Sequence, residues 1–223
     1  MAYRQTPAVE ARLQDNRGRI LAAARTLVSE GGWQEAQVAS VAAAAGMATG
    51  TVYRYFPSKA ELFADVLSAV SQREVDVLAA IATSDEPAAT RLHSAVATFV
   101  RRAMRNPRLA YALIAEPCDK EIDAARLVYR AAVSNVVRTI VASGQAAHEM
   151  RDDVAPDLAA SVIVGGFMEG LIGPLSPLNP RHPPGSGDSR RKVHSLAHDI
   201  ARLACASVAP VSRARPLQER RSR

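Results

Sequence analysis

Apolar residues recur at helical spacing along most of the chain. Over residues 11 to 30 they fall at Leu13, Ile20, Leu21, Ala24, Leu27 and Val28, one face of a 3.6-residue period. Gly31-Gly32 predicts the end of that helix, because glycine tolerates the left-handed backbone of a helix terminus. A second short helix is predicted over 36–45; Gly46 breaks it, and a third follows over 49–56. Pro57-Ser58-Lys59-Ala60-Glu61 reads as a capping box, in which Ser58 accepts from the Glu61 amide and the Glu61 side chain reaches back to Ser58. It opens a long helix to about Ala82, and Ser84-Asp85-Glu86-Pro87 is a stop and restart. Helical patterns then fill 87–105, 107–115, 119–147, 156–174 and 188–207. The breaks are Asn106-Pro107, Glu116-Pro117, Gly144 with the polar stretch to Pro156, and the Pro/Gly-rich run 173–187. No strand alternation and no internal repeat occurs. The expectation is an all-α fold of about nine helices. Residues 1–10 read as a loose N-terminal arm, and the Arg-rich residues 208–223 as a disordered basic tail.

The stretch around Gly46 carries the most specific pattern. Two short helices that cross steeply bury a small shared core, which demands small or apolar residues at fixed offsets from the turn. Val38, Val41, Ala42 and Ala45 precede the glycine, and Met47, Val52 and Tyr55 follow it. The pattern is that of a helix-turn-helix, although a plain helical hairpin meets the same demands.

Composition supports packed helices: aromatics are 4% of the chain, and alanine, the best helix former, comes in runs such as Ala22–Ala24. The net charge of +6 is unevenly spread. Residues 1–60 hold seven Lys/Arg against four Asp/Glu, 61–180 eleven against fifteen, and 181–223 ten against three. Basic ends around an acidic middle suit an end that meets a polyanion. Two cysteines, Cys118 and Cys205, build neither a four-cysteine zinc site nor a disulfide framework. The first ten residues have no signal-peptide core, and no run of about 18 apolar residues suggests a membrane span, so a cytoplasmic, nucleoid-associated protein is expected.

The run Gly46-Met47-Ala48-Thr49-Gly50-Thr51-Val52-Tyr53-Arg54-Tyr55-Phe56-Pro57-Ser58-Lys59-Ala60-Glu61-Leu62, with Arg19-Ile20-Leu21-Ala22-Ala23-Ala24 before it, resembles the TetR (tetracycline-repressor) family over about residues 14–74. The resemblance implies a DNA-binding domain over 11–60 and a helical ligand-binding and dimerisation domain over 61–207. The third helix would lie in the major groove. Thr51, Tyr53 and Tyr55 match family positions that contact phosphates or base edges. Gly50 would allow close approach, and Lys59 matches a phosphate contact at a helix N-terminus, which itself favours anions. Thr49 and Arg54 are the candidates for reading bases, Arg54 through guanine and Thr49 through a thymine methyl. Two positions depart from the family. Ala48 replaces the hydroxyl residue that caps the third helix, where Thr49 takes over or the helix starts less firmly. Gln37 replaces a capping threonine; it can reach a phosphate but is a poor cap. Tyr53 and Tyr55 could also be core aromatics; the expectation is one edge of Tyr55 in the core, Phe56 fully in it and Tyr53 outward. Arg4, Arg12, Arg17 and Arg19 either clamp the DNA backbone or are solvated.

The resemblance further implies a homodimer through the last two long helices on a palindromic operator, with a small-molecule effector. Ala159, Ala160, Gly165, Gly166 and Gly170 supply small positions that let a partner approach or serve packing within one subunit. Candidate effector-pocket residues are Arg105, Tyr111, Glu116, Cys118, Tyr129, Arg130, Phe167 and Glu169, with an arginine suited to a carboxylate or acyl-thioester. Repression is the family's usual outcome; activation by the same geometry stays open. No HExxH, P-loop or Gly-x-Ser-x-Gly motif occurs, so no enzyme, cofactor or metal is expected. His194 and His198, four apart, read as a solvated helix face in preference to a metal pair. An architectural DNA binder without an effector is the remaining rival.

Overall fold

A computed structural model describes residues 7–178 and 189–210. Arg4, part of the Pro/Gly-rich loop and most of the basic tail lie outside the described residues. Within them the chain forms nine α-helices and no strand: α1 (Pro7–Glu35), α2 (Val38–Ala44), α3 (Thr49–Tyr55), α4 (Lys59–Ala82), α5 (Ala88–Ala103), α6 (Pro107–Ile114), α7 (Lys120–Ala146), α8 (Pro156–Leu175) and α9 (Ser189–Ser207).

The helix pattern read from the sequence is therefore present, with two differences. First, α1 begins at Pro7, so residues 7–10 are helix and not arm; proline fits a first turn, where its missing N–H costs nothing. Second, the break at the glycine pair falls on Gly32, whose φ of 79° and ψ of −167° kink the helix before one more turn to Glu35. Helix α7 runs through Gly144, in line with the expected span 119–147, and ends at Ala146. That glycine is needed for close packing, since a Cβ there would meet Met150 Sδ at 2.7 Å and Ala88 Cβ at 2.8 Å.

A continuous apolar core runs from α1 to α9. The face of α4 formed by Leu62, Phe63, Val66, Leu67 and Leu78 is buried, and α4 packs on α1, α5 and α7. It thus joins the first three helices to the rest. Small Ala197, Ala201 and Ala204 bring α9 close to α5. The α5 N-terminus, started by Pro87 without a cap of its own, is satisfied by Glu149 Oε2, which accepts from the Ala88 amide at 2.6 Å.

Helix α8 is the one helix among the described residues that is long and apolar enough, by length and composition, to cross a membrane. The scattered glycines and alanines had hidden this in the sequence. Here α8 packs against α6, α7 and α9, and keeps Leu158 and Val162 exposed on its outer face.

Candidate nucleic-acid interface

The turn between α2 and α3 is set by Gly46 at φ 68°, a conformation most side chains resist. Its amide donates to Ala43 O at 3.0 Å and the Met47 amide to Ala42 O at 2.9 Å, closing α2. Arg19 Nη2 donates to Ala45 O at 2.7 Å and ties this turn to α1. Val41, Ala42, Val52 and Phe56 are all 2% exposed or less, so α3 has one buried stripe and its remaining surface is free.

That free surface is where most of the expected residues lie. Thr49, Gly50, Tyr53 and Arg54 are exposed, and Thr51, Tyr55 and Lys59 are half-buried at its edge. A Cβ on Gly50 would meet nothing within 4 Å, so no internal contact requires glycine there. Tyr53 is 47% exposed. The Tyr55 ring packs on the core while its hydroxyl accepts from Asn16 Nδ2 at 3.0 Å and keeps its own proton to donate. Ser58 Oγ accepts from the Glu61 amide at 3.1 Å, so one half of the capping box is formed; the return bond from Glu61 is not among those of the described residues. The Lys59 ammonium sits 5.7 Å from the Phe63 ring centroid at this N-terminus.

Both departures have structural counterparts. Ala48 is the N-cap of α3 and no side chain caps it. Thr49 does not take over, because it is already the first helical residue and a cap must hold the extended position before it. The missing cap costs about 1 kcal/mol. Gln37, at the N-cap of α2, makes no capping bond; its Nε2 donates to Gln34 O at 2.8 Å. Two of the four candidate arginines are engaged within the protein: Arg19 as above, and Arg17 on Asp65 and 5.0 Å from the Phe56 ring centroid. Arg12 is exposed.

The effector candidates are not brought together. Arg105 and Glu169 are exposed, Tyr111 is half-buried, and Arg130 lies in an outer cleft between α7 and α8. Phe167 packs on Phe99 with ring centroids 4.9 Å apart. Glu116 is spent on Arg108, and the Cys118 thiol, pushed up chiefly by burial, accepts from Arg126 at 3.2 Å. Tyr129 alone among them lines the narrow cavity of about 70 Å³ between α4, α5, α6 and α7. The polar residues beside it are Glu74, Arg102 and Asn106. Arg102 Nε and Nη2 donate to the two Glu74 oxygens at 2.5 and 2.8 Å, which raises the guanidinium above its ordinary value. Burial, helped by Glu74 and opposed by Arg102, pushes the Tyr129 phenol far up. The sequence held a sign of these residues: Glu74 interrupts the i, i+4 stripe Val66, Val70, Leu78 with a carboxylate, and Arg102 follows Phe99 by three.

One polar node joins α6 to the end of α1. Arg108 holds Glu116 at 2.7 and 3.0 Å and donates to Gly31 O at 2.6 Å. The Trp33 amide donates to Glu116 Oε2 at 3.2 Å and its indole to Ala112 O at 2.8 Å. Buried Arg126 of α7 donates to Leu113 O at 3.0 Å, Ala112 O at 3.2 Å and Glu116 O at 2.7 Å, satisfying the α6 C-terminus. Sequence reasoning missed both arginines: Arg126 bonds chiefly to backbone carbonyls, and Arg108 divides between the Glu116 carboxylate and Gly31 O. His198 Nδ1 lies 3.3 Å from His93 Nε2 across α5 and α9, and no group of three metal-binding side chains occurs among the described residues.

Residues 20–66 match the sequence profile of "Bacterial regulatory proteins, tetR family". The chain is 35% identical over 100 residues to the HTH-type transcriptional repressor KstR of Mycolicibacterium smegmatis, covering 45% of this chain and 49% of that one. It is 27% identical over 111 residues to the nucleoid occlusion factor SlmA of Haemophilus influenzae, covering 49% and 51%. The chain thus spans about half the length of the curated relatives it matches. The fold resembles that of a transcriptional regulator FadR from Bacillus subtilis, solved in complex with stearoyl-CoA, with a TM-score of 0.72 at 18% identity over 85% of this chain and 98% of that one. The sequence similarity to the tetR family of bacterial regulatory proteins thus lies in residues 20–66, the segment that carries α2, α3 and the start of α4.

Proposed function

We propose that this chain is a sequence-specific DNA-binding transcriptional regulator of bacterial cytoplasm, a ligand-responsive repressor that acts as a homodimer on a palindromic operator. The observation that carries the reading is the outward face of α3. Buried Val52 and Phe56 fix the helix, and Thr49, Gly50, Tyr53 and Arg54 stand on its open side beside Lys59 at the capped α4 N-terminus. In this reading Arg54 and Thr49 touch base edges. Thr51, Tyr53, Tyr55, Lys59 and Gln37 hold phosphates and set register.

A single α3 reads few base pairs, and a dimer reads two half-sites. The exposed Leu158 and Val162 of α8 and Leu203 of α9, with Gly166 and Gly170 exposed nearby, offer the apolar surface for a second copy. The cavity beside Tyr129 is the effector site in this reading. Helix α6 lines it with Leu109, Ala110, Leu113 and Ile114, and holds the end of α1 through Arg108 and Glu116. An effector that favours one posture of α6 lowers DNA affinity by its differential binding to the two states.

The test is DNA affinity of Tyr53→Ala and Lys59→Ala proteins, with folding checked by circular dichroism. Each substitution is expected to weaken binding to the DNA upstream of the gene about tenfold. Lys59→Ala should also lower the salt slope by about one. Wild-type affinity in both would refute the placement of α3 on DNA.

A further inference from the structure

The polar lining of the cavity between α4, α5, α6 and α7 is one-sided. Tyr129 is 7% exposed, and its hydroxyl makes no hydrogen bond among the described residues. Tyr129 lines the cavity, so its hydroxyl is left for whatever occupies that space. Arg102 commits Nε and Nη2 to Glu74, which leaves Nη1. Asn106 commits Oδ1 to the Leu109 amide at 3.1 Å, which leaves its Nδ2. Arg102 Nη1 and Asn106 Nδ2 can only donate, and the Tyr129 hydroxyl can donate as well, so the unspent groups are predominantly donors. Both Glu74 oxygens already accept from Arg102, and the pair cancels its own charge. The remaining lining, such as Val70, Phe99 and Leu113, is apolar.

This lining sorts ligands by chemistry. A carboxylate would have to be desolvated beside Glu74 for a guanidinium that is already neutralised. An ammonium would bring further donors to a site of donors. A neutral carbonyl oxygen accepts from the free N–H and O–H groups with no charge to bury. We propose that the cavity takes an uncharged, mainly hydrocarbon effector whose polar group is a carbonyl oxygen, held by the Tyr129 hydroxyl and the free N–H groups of Arg102 and Asn106. The assignment rests on the regulator reading above and names the ligand class of that same site. The raised phenol keeps Tyr129 a donor at physiological pH. The 70 Å³ now free would fit roughly two waters, so a larger ligand enters as α6 gives way, and α6 is held to the end of α1.

The test uses the full chain and four probes of similar size: cyclohexanone, cyclohexanecarboxylate, cyclohexylamine and methylcyclohexane, titrated at pH 7 by calorimetry and ligand-detected NMR. Cyclohexanone is expected to bind at least about tenfold tighter than the two charged probes. Tyr129→Phe should weaken the ketone about five- to tenfold and leave the hydrocarbon unchanged. Glu74→Gln leaves Arg102 charged without its partner, and should turn the preference to the carboxylate. Wild-type protein that binds the carboxylate as tightly as the ketone, a Tyr129→Phe protein that keeps full ketone affinity, or no saturable ketone binding would each overturn the proposal. DNA binding, measured in parallel, separates the two readings. A chain that binds DNA but prefers the carboxylate loses only the ligand class. A chain that follows these ketone rules but binds no DNA keeps the site and loses the regulator reading.

Discussion

Replacing Gly32 with alanine is expected to destabilise the protein by about 2–4 kcal/mol. Its backbone, at φ 79° and ψ −167°, lies in a region that is essentially reserved for glycine, and a side chain there costs about 1–3 kcal/mol. Space adds to the conformational cost. A Cβ would land on the Arg108 guanidinium and against the Glu116 carboxylate. Arg108 cannot simply swing away, because it is held by both Glu116 oxygens and by Gly31 O. The urea midpoint should fall accordingly. Gly18→Ala is the control: it lies inside α1, a Cβ there meets nothing within 4 Å, and helix propensity predicts a gain of about 0.5–1 kcal/mol. A Gly32→Ala protein as stable as wild type would show that the kink is not fixed as described.

Arg126→Ala is expected to cost about 3 kcal/mol, far more than loss of an exposed ion pair. The residue is 9% exposed, and its side chain donates to three carbonyls at the end of α6. Without it Leu113 O and Glu116 O lose a buried partner, while Ala112 O keeps the Trp33 indole. Arg126→Lys should recover only part of the loss, because one ammonium does not reproduce the planar fork that reaches separate carbonyls. Arg17→Ala gives the contrast. Its pair with Asp65 is about 40% exposed on both sides, and its removal should cost about 1 kcal/mol or less. Equal midpoints for Arg126→Ala and Arg17→Ala would contradict the account of α6.

What the sequence made legible was local. Helix periodicity, Gly46 and the Ser58–Glu61 spacing all act within a few residues, and each reappears in α2, α3 and the start of α4. The outward Tyr53 and inward Phe56 follow from the same helical period. The cavity was not legible in this way. Glu74 and Arg102 lie 28 residues apart and meet only because α4 packs on α5. Charged residues near helix breaks, such as Arg105 and Glu116, looked available for a ligand. Packing spends Glu116 on Arg108 and the Trp33 amide, and leaves Arg105 exposed. The start of α1 at Pro7, inside the stretch that reads as a loose arm, is allowed because proline occupies the one turn that tolerates it.

The central claim is that α3 reads DNA in a symmetric pair. Selection of bound sequences from a random duplex pool by the full chain tests it most directly. The account predicts an enriched inverted repeat, its half-sites spaced by roughly 10–10.5 base pairs or a multiple, lost from the pool when Tyr53→Ala protein is used. Enrichment of no sequence, or of a lone asymmetric site unaffected by Tyr53→Ala, would contradict it.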